Sequence, residues 1–94
     1  MIGLPYNLAS YSLLLSMIAQ VTGYRPRYFY HTFGDAHIYL NHLDQVNEQL
    51  SRQPRNLPKL ILNKNIENIF DFKYEDCHIV DYDPHSAIKA PVAV

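Results

Sequence analysis

The sequence predicts an α/β fold, and three observations predict it. Residues 8–22, "LASYSLLLSMIAQVT", are apolar nearly all round and free of Gly and Pro, which reads as a helix. Residues 28–40, "YFYHTFGDAHIYL", are aromatic and β-branched, which reads as extended chain. The second half repeats the alternation, with a helical pattern at 41–52 followed by the short strand-like runs "KLILN" and "EDCHIVDY". Ninety-four residues make at most one domain, and a chain this short buries only roughly 60–70% of its unfolded surface.

The first helix starts where Pro5 is followed by Asn7 as a capping residue, and Gly23 stops it. Ser12, Ser16 and Gln20, spaced by four, form its single polar stripe. A helix this apolar is buried on several sides, and few elements here are available to cover it. In the extended run, Gly34 marks a bulge or a close backbone approach. Strand alternation places Asp35, His37 and Tyr39 on one face and Ala36, Ile38 and Leu40 on the other. Asn41 caps the second helix, Leu43, Val46 and Leu50 form its buried stripe, and Pro54 ends it near Arg52. "NIENIF" makes one helical turn, and the tail "DPHSAIKAPVAV", with Pro84 and Pro91, is extended. There is no internal repeat and no low-complexity segment.

Composition narrows the function classes. Hydrophobic residues make up 48% and aromatics 13% of the chain, which implies a dense core or surfaces meant for another chain. Eight Lys and Arg against nine Asp and Glu give a net charge of −1, and no basic run points to nucleic acid or a membrane surface. "MIGLPYN" lacks the basic start of a signal peptide, and Leu8–Ala19, with Ser10, Ser12 and Ser16, is too short to span a bilayer. A single cysteine forms no internal disulfide and suits a reducing, cytoplasmic setting.

Few residues offer chemistry. Cys77 precedes His78, but neighbours in a strand point to opposite faces, so they form no thiolate–imidazolium pair with each other. Glu75 and Asp76 also put negative charge beside the sulfur, the opposite of what favours a thiolate. His31, His37 and His42 follow no metal-ligand spacing and have no second cysteine to help, so no metal site is expected. The Asp35–His37–Tyr39 face reads either as the wet side of an edge strand or as a pocket wall offering hydrogen bonds to a polar ligand. Asn7 reads as a helix cap or as an amide projecting into a pocket, where it can pair with a lactam edge such as uracil O4 and N3–H.

The runs "GLPYNLASY" (3–11), "GDAHIYLNH" (34–42), "QLSRQPRNLPKL" (49–60), "IFDFKYED" (69–76) and "YDPHSAIKAPVAV" (82–94) strongly resemble the C-terminal part of thymidylate synthase, in the family's order and spacing. They cover essentially the whole chain. One minor departure is His85-Ser86, where the family usually has "HP". The resemblance implies a homodimer that converts dUMP to dTMP with 5,10-methylenetetrahydrofolate as one-carbon donor and reductant. A cysteine thiolate there attacks C6 of the pyrimidine. It implies a bent mixed sheet packed on a long buried helix and an amphipathic helix, with subunits meeting through their sheets. Residue by residue, Asn7 matches the asparagine that reads the uracil ring, His37 and Tyr39 match residues that bond the deoxyribose hydroxyl, and Gly3 matches a glycine lining the nucleotide site. Ala93 and Val94 match the segment that closes over the folate and excludes water. The related deoxycytidylate hydroxymethylases usually carry Asp at the position of Asn7, so the amide favours dUMP.

The resemblance also implies what is missing. The family's nucleophile sits in a "PCH" motif upstream of "GLPYN", as do the phosphate-holding arginines, an Arg-Ser-x-Asp stretch and most of the folate wall. Residues 1–94 therefore read as a partial domain lacking the nucleophile-bearing N-terminal part, with no catalytic residue of its own. At the position of Cys77 the family usually has an apolar or aromatic residue. The expected partners are dUMP, folate, the missing N-terminal portion and a second subunit. The alternatives are a subunit of a split enzyme or a non-enzymatic nucleotide-binding module. The latter would bind weakly without the arginines that anchor a phosphate.

Overall fold

The structure, a computed structural model, describes residues 3–92. Helix α1 spans Leu4–Thr22 and α2 spans Leu43–Ser51. Strands β1, Lys59–Leu62, and β2, Cys77–Val80, pair antiparallel with Leu60 opposite Ile79 and Ile61 opposite His78. Short 3-10 turns lie at Leu40–His42, Ile69–Asp71 and Tyr74–Asp76.

Helix α1 begins one turn earlier than the Asn7 cap implies. Gly3 is the residue before the helix, Pro5 lies in the first turn, and the Asn7 N–H bonds the Gly3 carbonyl at 3.3 Å. Asn7 is thus inside the helix and does not cap it. Pro is tolerated there because first-turn N–H groups have no intrahelical partner. At the other end, Gly23 stops the helix as expected. Its φ of 78° lies in the left-handed region. Gly23 N–H then bonds Gln20 O at 3.2 Å and Tyr24 N–H bonds Ala19 O at 2.8 Å, so the last carbonyls are satisfied by a Schellman turn.

The long helix is not buried. Ala19 is its one buried residue. Its covered side is the polar stripe: the Ser16 hydroxyl folds back to Ser12 O at 3.1 Å, and the Gln20 amide donates to Asn63 O at 2.9 Å and Ile66 O at 3.0 Å. Tyr11, Leu14 and Ile18, at i, i+3 and i+7, form an apolar stripe that stays exposed. A helix oriented this way has its greasy face toward whatever else the fold contains.

The segment expected as the first strand is extended but unpaired. Tyr28 and Tyr30 rings lie 5.9 Å apart, Phe29 and His31 5.8 Å, and His31 and Phe33 4.5 Å. Contacts at i, i+2 are what a pleated backbone produces. Yet among the described residues no backbone N–H of residues 25–38 donates a hydrogen bond. The expected mixed sheet is therefore, among the described residues, a two-stranded hairpin, because the run at 28–40 has no neighbour to pair with.

The second helix also starts later than expected. Asn41 sits in a 3-10 turn, and α2 follows from Leu43. Its stripe is not buried: Leu43 and Leu50 are exposed and Val46 is half-buried. The covered side carries Gln45 and Val46, over which the tail passes. The tail is extended, as the prolines predict. The strand expected over "EDCHIVDY" is shorter, because Glu75 and Asp76 belong to a 3-10 turn and Asp81, with φ 58°, breaks the ladder.

These features leave little core. The radius of gyration is 16.3 Å, against about 12–13 Å for a compact chain of this length. The accessible surface is 8475 Å², roughly 2,900 Å² more than a folded monomer of 11.0 kDa exposes. That excess is larger than one partner's share of an obligate interface, about 1,000–2,500 Å². Hydrophobic stabilisation scales with area removed from water, so the described residues by themselves gain little of it from α1 and the extended run.

Candidate functional site

Two groups of residues carry the expected nucleotide contacts. The first is the start of α1, where Gly3 and Asn7 are exposed. The Asn7 side chain makes no hydrogen bond among the described residues, so its amide is available to a ligand edge. A Cβ added at Gly3 would meet nothing within 4 Å, so the structure shows no close approach there.

The second group is the 35–39 stretch, and here the alternation holds. His37 Nδ1 lies 3.3 Å from Asp35 Oδ1, and the His37 and Tyr39 rings meet edge to face at 4.9 Å and 80°. All three side chains share one face, and all are exposed. The carboxylate accepts from Nδ1–H, which leaves Nε2 and the Tyr39 hydroxyl as outward polar groups. An imidazole and a phenol side by side can each donate or accept, which suits a sugar hydroxyl. No hydrogen bond joins this group to Gly3 or Asn7 among the described residues. The matched positions Ala93 and Val94 lie outside the described residues.

Cys77 and His78 occupy successive positions of β2, opposite Leu62 and Ile61 respectively. Cys77 is half-buried and His78 exposed, and as neighbours in a strand their side chains point to opposite faces. Among the described residues no cluster of three His, Cys, Asp or Glu side chains could hold a metal ion, and no helix is long and apolar enough to cross a membrane.

The structure also brings forward residues that the pattern of the sequence did not. Asp76 is held by Asn63 Nδ2 at 2.8 Å and by the Lys73 N–H at 2.8 Å. The Asn63 bond foremost, then the Lys73 backbone bond, keeps its carboxyl below the usual carboxylate range. Asn63 N–H also bonds Asp76 O at 2.8 Å, which extends the ladder by one bond at the loop end of the hairpin. His42, at 2% exposure, is the most buried side chain described, and Tyr39 packs on it edge to face at 5.6 Å. Its spacing of three from Tyr39 is the one trace of this contact in the sequence.

With this geometry in view, comparison with known proteins is decisive. The family model for thymidylate synthase matches residues 1–94. The chain belongs to the thymidylate synthase family. It is similar to the thymidylate synthase of Mycoplasma mobile, at 66% identity over 93 residues covering 99% of this chain and 32% of that protein. It is similar to the thymidylate synthase of Malacoplasma penetrans at 63% identity over the same shares. The chain thus spans about a third of the length of the curated thymidylate synthases it matches.

Proposed function

We propose that this chain forms one wall of a thymidylate synthase active site, for the reductive methylation of dUMP to dTMP with 5,10-methylenetetrahydrofolate. It supplies residues that read the nucleotide and the C-terminal segment that closes over the folate, within the parent family's mixed sheet and homodimer, in the cytoplasm. The nucleophile comes from protein outside these residues, a second piece of a split enzyme or the remainder of a longer one. The observation that carries this reading is the Asp35–His37–Tyr39 face, an exposed row of polar groups in mutual contact, within a chain that the family model matches over residues 1–94. On this reading His37 and Tyr39 bond the deoxyribose hydroxyl, Gly3 lines the site, and Asn7 pairs with uracil. Ala93 and Val94 belong to the closing segment. Cys77, half-buried in β2 with His78 on the opposite face, attacks nothing.

The test is a chimaera in which this chain replaces the matched segment of the Mycoplasma mobile thymidylate synthase. The chimaera is expected to form dTMP from dUMP, and the 94-residue chain alone is expected to form none. Asn7→Asp should shift preference from dUMP toward dCMP, because a carboxyl group suits cytosine's amino donor. His37→Ala should raise the KM for dUMP about tenfold, the loss of one hydrogen bond to a hydroxyl. Turnover by the isolated chain, or an Asn7→Asp variant with undiminished preference for dUMP, would contradict the proposal.

A further inference from the structure

His37 and Tyr39 have a task in the reading above, and Asp35 has none. Its Oδ1 lies 3.3 Å from His37 Nδ1. A carboxylate only accepts, so the hydrogen of a neutral His37 ring sits on Nδ1. Nε2 is then a bare lone pair. Without the carboxylate, an imidazole exchanges its hydrogen between the two nitrogens and offers either a donor or an acceptor at Nε2.

The rest of the row holds the ring in place. The Tyr39 ring meets His37 edge to face at 4.9 Å and 80°. Behind Tyr39 stands the buried His42, at 5.6 Å and 83°. The His37 ring thus has one packed side, one hydrogen-bonded nitrogen and one polar atom left over. The polarity of that atom sets the polarity of its neighbour. The Tyr39 hydroxyl rotates and can donate or accept. A ligand hydroxyl that donates to Nε2 still has lone pairs, and the phenol O–H can donate to one of them. In this state the pair offers one acceptor and one donor, which is the complement of a hydroxyl. It mismatches a group that only accepts, such as fluorine or an ester oxygen, because two lone pairs then face each other at Nε2.

We infer that Asp35 is a positioning residue that fixes the tautomer of His37, so that the wall takes a sugar hydroxyl as a hydrogen donor and turns away a sugar whose hydroxyl is replaced or blocked. This rests on the reading of His37 and Tyr39 given above and deepens it: the substrate class is a nucleotide with a free sugar hydroxyl. A uracil nucleotide within a nucleic acid strand, whose hydroxyl is esterified, falls outside it. Asp35 touches no substrate here and acts only through His37. Its side chain is 85% exposed, so a substitution there removes no packing.

The experiment compares the chimaera with its Asp35→Ala variant on two nucleotides: dUMP, and the dUMP analogue with fluorine in place of the sugar hydroxyl. Fluorine fits the same space, accepts weakly and donates nothing. The parent should prefer dUMP in kcat/KM by at least about tenfold, from one lost hydrogen bond and a lone pair left without a donor. In Asp35→Ala the His37 hydrogen reaches Nε2 in part of the molecules. The preference should then shrink about threefold, the size of effect that one exposed charged contact carries. The second readout is the nitrogen NMR spectrum of the histidine rings in the chimaera, with His37 assigned by the signals lost in His37→Gln. In the neutral ring of the parent, Nδ1 should carry the hydrogen, and Asp35→Ala should mix the two forms. A preference unchanged by Asp35→Ala would overturn the inference, because a residue that only packs affects both nucleotides alike. A parent His37 with its hydrogen on Nε2 would overturn it as well. If the chimaera made no dTMP, the proposed function would fall, while the ring spectrum would still judge the link between Asp35 and His37.

Discussion

The hairpin and the 24–39 segment are built from similar residues and end in opposite states. In the hairpin, β1 and β2 satisfy each other, Asn63 and Asp76 tie the loop end, and Gln20 fastens the following turn to α1. In the 24–39 segment the backbone is just as extended, yet among the described residues no backbone N–H of residues 25–38 finds an acceptor, and Tyr24, Tyr28, Tyr30 and Phe33 face outward. Propensity is therefore not what separates them. A strand exists only with a neighbour, and the hairpin carries its neighbour within the chain whereas the aromatic run does not. What the two regions teach is where this sequence supplies its own backbone partners and where it does not.

The largest expected effect follows directly. Amide hydrogen exchange should show residues 25–38 exchanging at nearly the intrinsic rate in the isolated chain and slowed at least about 100-fold in the chimaera. Residues 59–62 and 77–80 should gain less, since their ladder is already internal. Protection of 25–38 in the isolated chain would erase the contrast.

Next in size is Gly23, where the self-sufficient half begins. A Cβ there meets no atom within 4 Å, so Gly23→Ala costs only what a left-handed φ of 78° costs an L side chain. That is about 1–2 kcal/mol, read as a lowered denaturation midpoint of the chimaera. Gly34→Ala has equally open space and no positive φ, so it should change stability by less than about 0.5 kcal/mol. Equal effects at the two glycines would mean that the Schellman turn is not what ends α1.

These comparisons also show what the residues alone disclose. The two strands of the hairpin, the second shorter than expected, the stop at Gly23 and the shared face of Asp35, His37 and Tyr39 follow from short-range rules and are present, while the helical turn expected over 65–70 falls at 69–71. The start of α1 was missed because Asn7 looks like a cap, while Gly3 and Pro5 make the first turn without one. Burial was missed most. A stripe such as Leu43, Val46 and Leu50 states that something will cover it and cannot say whether that cover lies in the same chain. His42, Gln20 and Arg52 stayed hidden for another reason: each acts by donating to a backbone carbonyl more than thirty residues away, and carbonyls have no letter in the sequence. The candidate site was legible chiefly through the family pattern.

Gln20 gives a smaller test of the same contrast. Gln20→Met keeps the volume but removes the donor to Asn63 O and Ile66 O, so α1 loses its hydrogen-bonded attachment to the turn. The chimaera should lose about 1 kcal/mol, because both carbonyls can turn partly to water. The analogous change on the other side of the helix, Tyr11→Met, should cost little in the isolated chain, where Tyr11 is exposed, and more in the chimaera, where it is covered. A Tyr11 effect of the same size in both contexts would mean the apolar stripe has no partner in the longer protein.

The smallest expected effect is the acid response of the hairpin's closed end. Asp76 is only half-buried, so its contribution is modest, but its sign is fixed. The Asn63 side chain first, the Lys73 N–H second and the charges of Lys73 and His78 last favour the ionised carboxyl in the folded state. Its folded value therefore lies below the unfolded one of about 3.9. The stabilisation is fully present above about pH 5 and fades as pH falls through the folded value, because the unfolded chain takes up the proton first. Asn63→Ala removes the leading cause, so the NMR titration midpoint of Asp76 should rise toward the usual range and the acid limb of stability should become shallower. The hairpin would then resemble the unpaired segment in one respect only, a backbone end with its side-chain tie removed. An unmoved midpoint would show that Lys73 alone holds the carboxylate, and that the two regions differ in strand pairing but not in how their ends are closed.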